Sequence, residues 1–379
     1  MSQSERLGTY LAQDPGNGQL ACDLLDALLA EGDFRRAASA LQGLPDSVAA
    51  QPGIRFRAAR IALATGDYGD AEETLARLRE QGHRSAAIEH DIAFAQLCRH
   101  RIDAARATVD AAVAGFGTSP ELCVLSARIA LMEQDYAQAI AVLEKALALE
   151  PGYPVAWGLH ALALLDAGEP EQAERMARAC LSGHPDQHEA LLAAATAALW
   201  RNDVDAAEAD YRRALQRFPN SGRALSGLGQ VLMLRGQLQA AMPQLRRAAE
   251  TMPEHIGTWH ALGWAQLLLG DLAGAENSYA RAYDIDRNFA ESHGGLAVVA
   301  MLAGRMEEGE AGMRRALRLD PNCSSGRFAK SLWMEHDGDE EGAAQLLAQV
   351  MREGAMPGAT PEQARTLSRG IRERIHAGR

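Results

Sequence analysis

Apolar residues along this chain recur at helical spacing in paired runs separated by short polar breaks. Leu225, Leu228 and Leu232 mark one run, and Ala241, Leu245 and Ala248 mark the next. Spacing of i, i+3/i+4, i+7 places each run on one face of an α-helix. Ala and Leu dominate the apolar set, as helices favour, and runs of β-branched residues that would support strands are few. The predicted elements are therefore helices, taken in pairs.

The breaks repeat as well. EGDFRRA begins at Glu31, TGDYGDA at Thr65, EQDYAQA at Glu133, LGDLAGA at Leu269 and DGDEEGA at Asp337. Gly32, Gly66, Gly168, Gly236, Gly270, Gly304 and Gly338 share one phase of a 34-residue period. Five residues later stand Ala37, Ala71, Ala105, Ala139, Ala173, Ala207, Ala241, Ala275, Gly309 and Ala343, and another phase carries Pro15, Pro151, Pro185, Pro219, Pro253 and Pro321. The glycine ends one helix in a left-handed residue and a polar residue starts the next. The proline breaks the second helix before the following pair. The small residues belong where two helices cross closely. A 34-residue hairpin cannot bury its apolar face alone, since domains below about 40 residues rarely stand by themselves, so stacking must supply the stability.

The register resembles that of the tetratricopeptide repeat: bulky or aromatic at position 4, Leu at 7, Gly or Ala at 8, aromatic at 17, Ala at 20, bulky at 24, Ala at 27 and Pro at 32. The copies at 222–255 (Leu228, Gly229, Ala241, Ala248, Pro253) and 256–289 (Trp259, Leu262, Gly263, Ala275, Tyr279, Ala282) match best. The resemblance implies an all-α fold, an α-solenoid forming a right-handed superhelix of ten helix–turn–helix repeats over 18–357. Their starts are Gly18, Pro52, Ala86, Pro120, Pro154, His188, Gly222, Ile256, Ala290 and Ser324. The third copy departs most, with His100 in place of the turn glycine and REQGHRSA and AGFGTSP predicting bent or longer loops around it. Residues 1–17 read as a capping half-repeat, with Leu7 and Tyr10 on its inner face. Residues 358–379 read as a capping helix, with Thr360 before Pro361 at its start, Leu367, Ile371 and Ile375 covering the tenth repeat, and arginines on the rest.

In that family the first helices line a concave groove, and positions 2, 5, 9, 12 and 13 face a bound peptide. Carried onto this chain, those positions include Phe56, Arg60, His90, Phe94, Arg128, Met132, Thr196, Trp200, Arg223, Gln230, His260, Trp264 and Phe328. Aromatics and Met with sparse Arg suit an extended or helical peptide bearing apolar anchors. Trp200 and Trp264 fit either that face or the seam between repeats. Position 12 (Leu29, Leu63, Leu97, Leu131, Leu165, Leu199, Met233, Leu267, Met301, then Glu335) is uniform enough to read as a structural stripe. Trp157 and Trp259, at position 4, are expected in the core. Chaperone-binding members of the family clamp a carboxylate with Lys at position 5 and Asn at 9. Position 5 here reads Cys22, Phe56, His90, Val124, Gly158, Leu192, Ser226, His260, Gly294 and Phe328, and position 9 has no Asn, which argues against such a clamp.

Composition narrows the reading further. A formal charge of −12 and a pI near 5.4 repel phosphate backbones, which argues against nucleic-acid binding. The five cysteines are scattered and never in CxxC spacing, which disfavours a disulfide framework or zinc site. The chain shows no signal peptide and no apolar run long enough to span a membrane, so a cytoplasmic location is expected. HExxH, GxxxxGK[ST], GxSxG and a properly placed GxGxxG are missing. HDGDEEG at 336–342 falls in the phase of an inter-helix turn, and His184 and His188 straddle Pro185 rather than sharing a helix face. The expectation is a non-catalytic scaffold or adaptor without cofactor or metal, monomeric or dimeric, taking a protein or peptide in its groove. An accessory or substrate-recruiting role for a separate transferase- or hydroxylase-type enzyme, served in trans, is the alternative.

Overall fold

A computed structural model describes residues 2–354 and 358–377. All of the secondary structure among these residues is helical, in 23 helices. The chain divides into two compact bodies, 1–169 and 170–379. The first contains α1 (Gln3–Gln13), α2 (Gly18–Glu31), α3 (Phe34–Gln42), α4 (Asp46–Ala49), α5 (Pro52–Thr65), α6 (Tyr68–Glu80), α7 (Ala86–Cys98), α8 (Ile102–Phe116), α9 (Pro120–Met132), α10 (Tyr136–Leu149) and α11 (Pro154–Asp166). The second contains α12 (Pro170–Gly183), α13 (His188–Trp200), α14 (Val204–Arg217), α15 (Gly222–Leu234), α16 (Leu238–Thr251), α17 (Ile256–Leu269), α18 (Leu272–Ile285), α19 (Ala290–Leu302), α20 (Met306–Leu319), α21 (Ser324–His336), α22 (Glu340–Glu353) and α23 (Pro361–Ala377). Residue 357, the expected end of the tenth repeat, lies outside the described residues, as do 378 and 379.

One backbone device recurs between paired helices. The residue at position 15 of the period is left-handed throughout, as Gly32, Gly66, Gly168, Gly236, Gly270, Gly304 and Gly338, and also as His100, Gln134 and Asn202 with φ of 57°, 62° and 62°. Glycine takes this conformation without steric cost, whereas each side chain there costs about 1–2 kcal/mol. The next residue caps the second helix: Asp33, Asp67, Asp135, Asp203, Asp271 and Asp339 each accept an N–H three residues on. Helices α8, α16 and α20 follow Arg101, Gln237 and Arg305 and lack a side-chain cap.

The small residues at position 20 are buried from Ala37 to Ala343. At Gly309 a Cβ would stand 2.4 Å from Met301 Cγ and 3.1 Å from the Ala297 carbonyl, so bulk is excluded there. Ion pairs between an exposed arginine and a half-buried glutamate link successive hairpins, as in Arg99 with Glu72 and Arg235 with Glu208.

The first body departs from the expected pattern at its start. Gly43 and Pro45 cut the second helix of the first hairpin short, and the extra turn α4 inserts Val48 into the core beside Leu25 and Ile54. On α1, Leu7 and Leu11 pack against that core, while Tyr10 is 55% exposed; Leu11 takes the inner place expected of Tyr10. Ser2 and Glu5 close a capping box on α1, and buried Ser4 donates to Glu31 at 2.6 Å.

The second body ends in α23. Thr360 and Gln363 close a reciprocal cap, with the Gln363 N–H 3.3 Å from Thr360 Oγ1 and the Thr360 N–H 2.9 Å from Gln363 Oε1. Ala364, Ile371 and Ile375 are buried and Leu367 half-buried in a core that includes Leu267, Tyr279, Met301, Phe328, Leu332 and Leu347. α23 packs on α22 and also reaches α17, two hairpins back.

Candidate partner-binding face

The first helices α5, α7 and α9 carry the candidate residues of the first body. Phe56 is half-buried, and the Arg60 guanidinium lies 6.0 Å from its ring centre and 3.8 Å from Asp91 Oδ2. Asp91 also meets His90 Nδ1 at 2.8 Å. Phe94 stands edge-on to Tyr68, with ring centres 6.5 Å apart. Arg128 is half-buried, and Met132, the last residue of α9, is exposed. Burial pushes the nearby Cys98 thiol above its ordinary value, against the Tyr68 hydrogen bond and the Arg128 charge, which act downward.

In the second body, the Thr196 hydroxyl is held by the Leu192 carbonyl and the Tyr211 hydroxyl, both at 2.8 Å. Trp200 is 58% exposed. Arg223 and Gln230 are exposed on α15, with Gln230 3.5 Å from Ser226 Oγ. His260 sits between the rings of Tyr279 and Phe289, at 5.3 and 5.4 Å, and its Nε2 meets Ser292 Oγ at 3.0 Å. Burial depresses its pKa to about 4, outweighing the Glu291 charge, so the ring is neutral at pH 7. Trp264 is half-buried and meets Phe328 edge-on at 5.7 Å.

Two tryptophan expectations therefore separate. Trp200 is presented to solvent, whereas Trp264 is packed against the core. Phe328 is only 3% exposed, so its ring supports the face from beneath and cannot serve as an anchor on it. Trp157 and Trp259 are half-buried rather than core, because each indole N–H must find an acceptor and donates to the carbonyl of Pro151 or Pro253, at 2.7 and 2.8 Å. Position 12 is buried or half-buried in every hairpin, as a packing stripe requires.

Position 13 is one of the positions that the family resemblance places toward a ligand. In the second body it reads Trp200, Leu234, Leu268, Leu302 and His336. Trp200 and Leu234 are exposed, and Leu268 and Leu302 are half-buried against the core. Large apolar residues hold this phase in succession only from Trp200 to Leu302; in the first body it reads Ala30, Ala64, Cys98, Met132 and Asp166.

Other groups with chemical potential have structural partners. Asp339 of HDGDEEG caps α22, accepting the Gly342 N–H at 2.9 Å. His188 meets Ser221 Oγ at 3.1 Å and the Phe218 ring at 4.4 Å. Among the described residues no cluster of three His, Cys, Asp or Glu is placed to hold a metal, the five cysteines are free thiols, and no helix is long and apolar enough to cross a membrane.

Models of the tetratricopeptide repeat match residues 22–86, 95–154, 130–199, 192–255 and 260–323, well over half of the chain. The chain belongs to the tetratricopeptide repeat family. Its fold is accordingly the family's α-solenoid of helical hairpins. The Cut9–Hcn1 hetero-tetramer of the APC/C is similar at 15% identity, with 97% of this chain and 90% of that chain covered and a TM-score of 0.51. The human IFIT1 dimer with m7Gppp-AAAA is similar at 16% identity, covering 94% and 90%, with a TM-score of 0.56. Identities this low establish the fold alone. No curated protein sequence matches the chain.

Proposed function

We propose that this tetratricopeptide repeat protein is a non-catalytic scaffold that holds a partner protein or peptide against its first-helix face, with apolar side chains as anchors. The observation that carries the reading is Trp200. A 58% exposed indole ends α13, and Leu234 repeats the position on α15, the next first helix, which packs on α13. Large apolar side chains aligned in the open are what a partner's apolar residues cover. Polar groups on the first helices of the same body are engaged within the chain: Thr196 with Tyr211 and His260 with Ser292. They orient the surface rather than form a nucleophile and base.

The similar Cut9–Hcn1 structure is itself a protein assembly, in line with this use of the fold. The IFIT1 structure holds a capped oligonucleotide, but the −12 charge of this chain opposes that chemistry. The test compares capture of binding proteins by wild type, Trp200→Ala, Leu234→Ser and, as a control on a second helix, Arg212→Ala. Capture is expected to fall in the first two variants and persist in the third. Undiminished capture by the folded Trp200 and Leu234 variants removes this face as the binding site.

A further inference from the structure

The C-terminal helix lies where a ligand of this face would lie. Leaving α22, where Arg365 pairs with Glu341, α23 runs back across the second body. Ser368 Oγ and Arg372 reach Glu335 near the end of α21, at 3.4 and 2.8 Å. At the far end, the Arg374 backbone is so close to the turn after α17 that a Cβ on Gly270 would stand 2.8 Å from it. The buried Ala364, Ile371 and Ile375 share a core with Leu267 and Met301 of position 12, against which Trp264, Leu268 and Leu302 of positions 9 and 13 pack. In the two preceding hairpins of the same body, position 13 is exposed as Trp200 and Leu234. The row is thus covered at Leu268 and Leu302 and open at Trp200 and Leu234, with His336 exposed at its last position.

Two features mark the covered stretch as a seat for a helix. Position 12 is apolar from Leu199 to Met301 and then becomes Glu335, the carboxylate that α23 uses through Ser368 and Arg372. The seating is also incomplete. A cleft of about 350 Å³ between α21, α22 and α23 is lined by polar side chains that include Glu340, Arg369 and His376, with Ala344 and Leu347 among the apolar ones. A few apolar residues and two ion pairs, Arg365 with Glu341 and Arg372 with Glu335, hold the helix down.

We propose that α23 is a resident, displaceable occupant of the ligand row, and that the partner presents an amphipathic helix of the same design. That design has apolar residues at i, i+7 and i+11, as in Ala364, Ile371 and Ile375, with a basic residue after the second, as in Arg372. The proposal rests on the face described above and adds its regulation. A partner touching Trp200 and Leu234 alone binds weakly, and one that displaces α23 binds along the whole row.

The test uses the full chain and a fluorescent synthetic peptide of residues 360–377, read by anisotropy. Ile371→Asp with Ile375→Asp is expected to bind the peptide about tenfold or more tighter than wild type. Adding Glu335→Arg is expected to remove that gain, and a peptide carrying Arg372→Glu to restore it. Peptide binding no tighter than wild type, by a double variant with unchanged helical circular dichroism, overturns the proposal. Should the double variant not fold, Arg372→Glu alone reverses the contact with Glu335 and leaves the apolar contacts and the Arg365–Glu341 pair in place. It is expected to raise hydrogen exchange of α23 about tenfold while α19 stays protected, and unchanged exchange overturns the proposal. Neither readout involves partner capture through Trp200, so failure here and failure of the binding face are separately visible.

Discussion

Gly227→Ala sets two effects of opposite sign against each other at the contact between α14 and α15. Glycine inside a helix is about 1 kcal/mol less favourable than alanine, so propensity alone makes the substitution stabilising. The structure opposes it. A Cβ on Gly227 would stand 2.1 Å from Tyr211 Cζ and 2.5 Å from both Cε atoms, far inside the roughly 3.5–4.0 Å optimum for carbon pairs. Tyr211 is buried and its hydroxyl is tied to Thr196 at 2.8 Å, so the ring cannot swing away without breaking a hydrogen bond worth about 1 kcal/mol. Overpacking costs about 1–3 kcal/mol, and loss of the hydrogen bond adds to it. Against the gain in propensity, the expected net effect is a destabilisation of about 1–3 kcal/mol. Urea denaturation followed by circular dichroism measures it, with Gly8→Ala as control because nothing lies within 4 Å of a Cβ there. The control is expected to gain about 0.5–1 kcal/mol. In a Tyr211→Ala background, Gly227→Ala should become neutral or stabilising. A neutral or stabilising effect in the wild-type background refutes the argument that the glycine exists to let the tyrosine ring seat between the helices.

Further expectations follow from buried titratable groups and from the core. His260 should titrate with a midpoint near pH 4 by NMR, and a midpoint of 6 or above contradicts its burial. Because its folded pKa lies below the ordinary 6.5, its contribution to stability is complete above pH 6.5 and is lost as pH falls toward 4; melting temperature across that window should drop less in His260→Gln than in wild type. His160 is buried with Nδ1 unpartnered, at position 7 where other hairpins carry Leu24, Leu228, Leu262 and Leu296; His160→Leu should stabilise by about 1–2 kcal/mol, and a loss of stability contradicts this. Phe328→Ala should cost about 3–5 kcal/mol in denaturation, as deletion of a core ring does, whereas Trp200→Ala should leave stability within about 0.5 kcal/mol; equal effects contradict their assignment to core and surface.

The helical pairing was legible in the sequence because its cause is local. A left-handed turn needs glycine or tolerates a few polar residues, and an aspartate after it caps the next helix, so both leave a mark at fixed spacing. His100 shows the limit: the sequence broke the glycine pattern, but the backbone kept the left-handed turn at φ 57°. What was not legible depends on partners distant in sequence. The periodicity of α23 fixed which face is apolar, yet not that the face would reach α17. Phe56 and Phe328 occupy the same repeat position, and only the second lies in the core that Ile371 and Ile375 complete. Apolar type placed Trp157 and Trp259 inside, whereas the hydrogen-bonding need of the indole N–H holds their edges at the surface.

The proposed function is the binding of partners by the row of apolar side chains on the first helices. Its most direct test places a photo-crosslinking residue at 200 or 234 on that row, or at 212 or 246 on second helices, and identifies the adducts by mass spectrometry. One shared partner is expected to crosslink from 200 and 234 and to be absent from 212 and 246. Adducts arising equally from all four positions, or only from 212 and 246, contradict it.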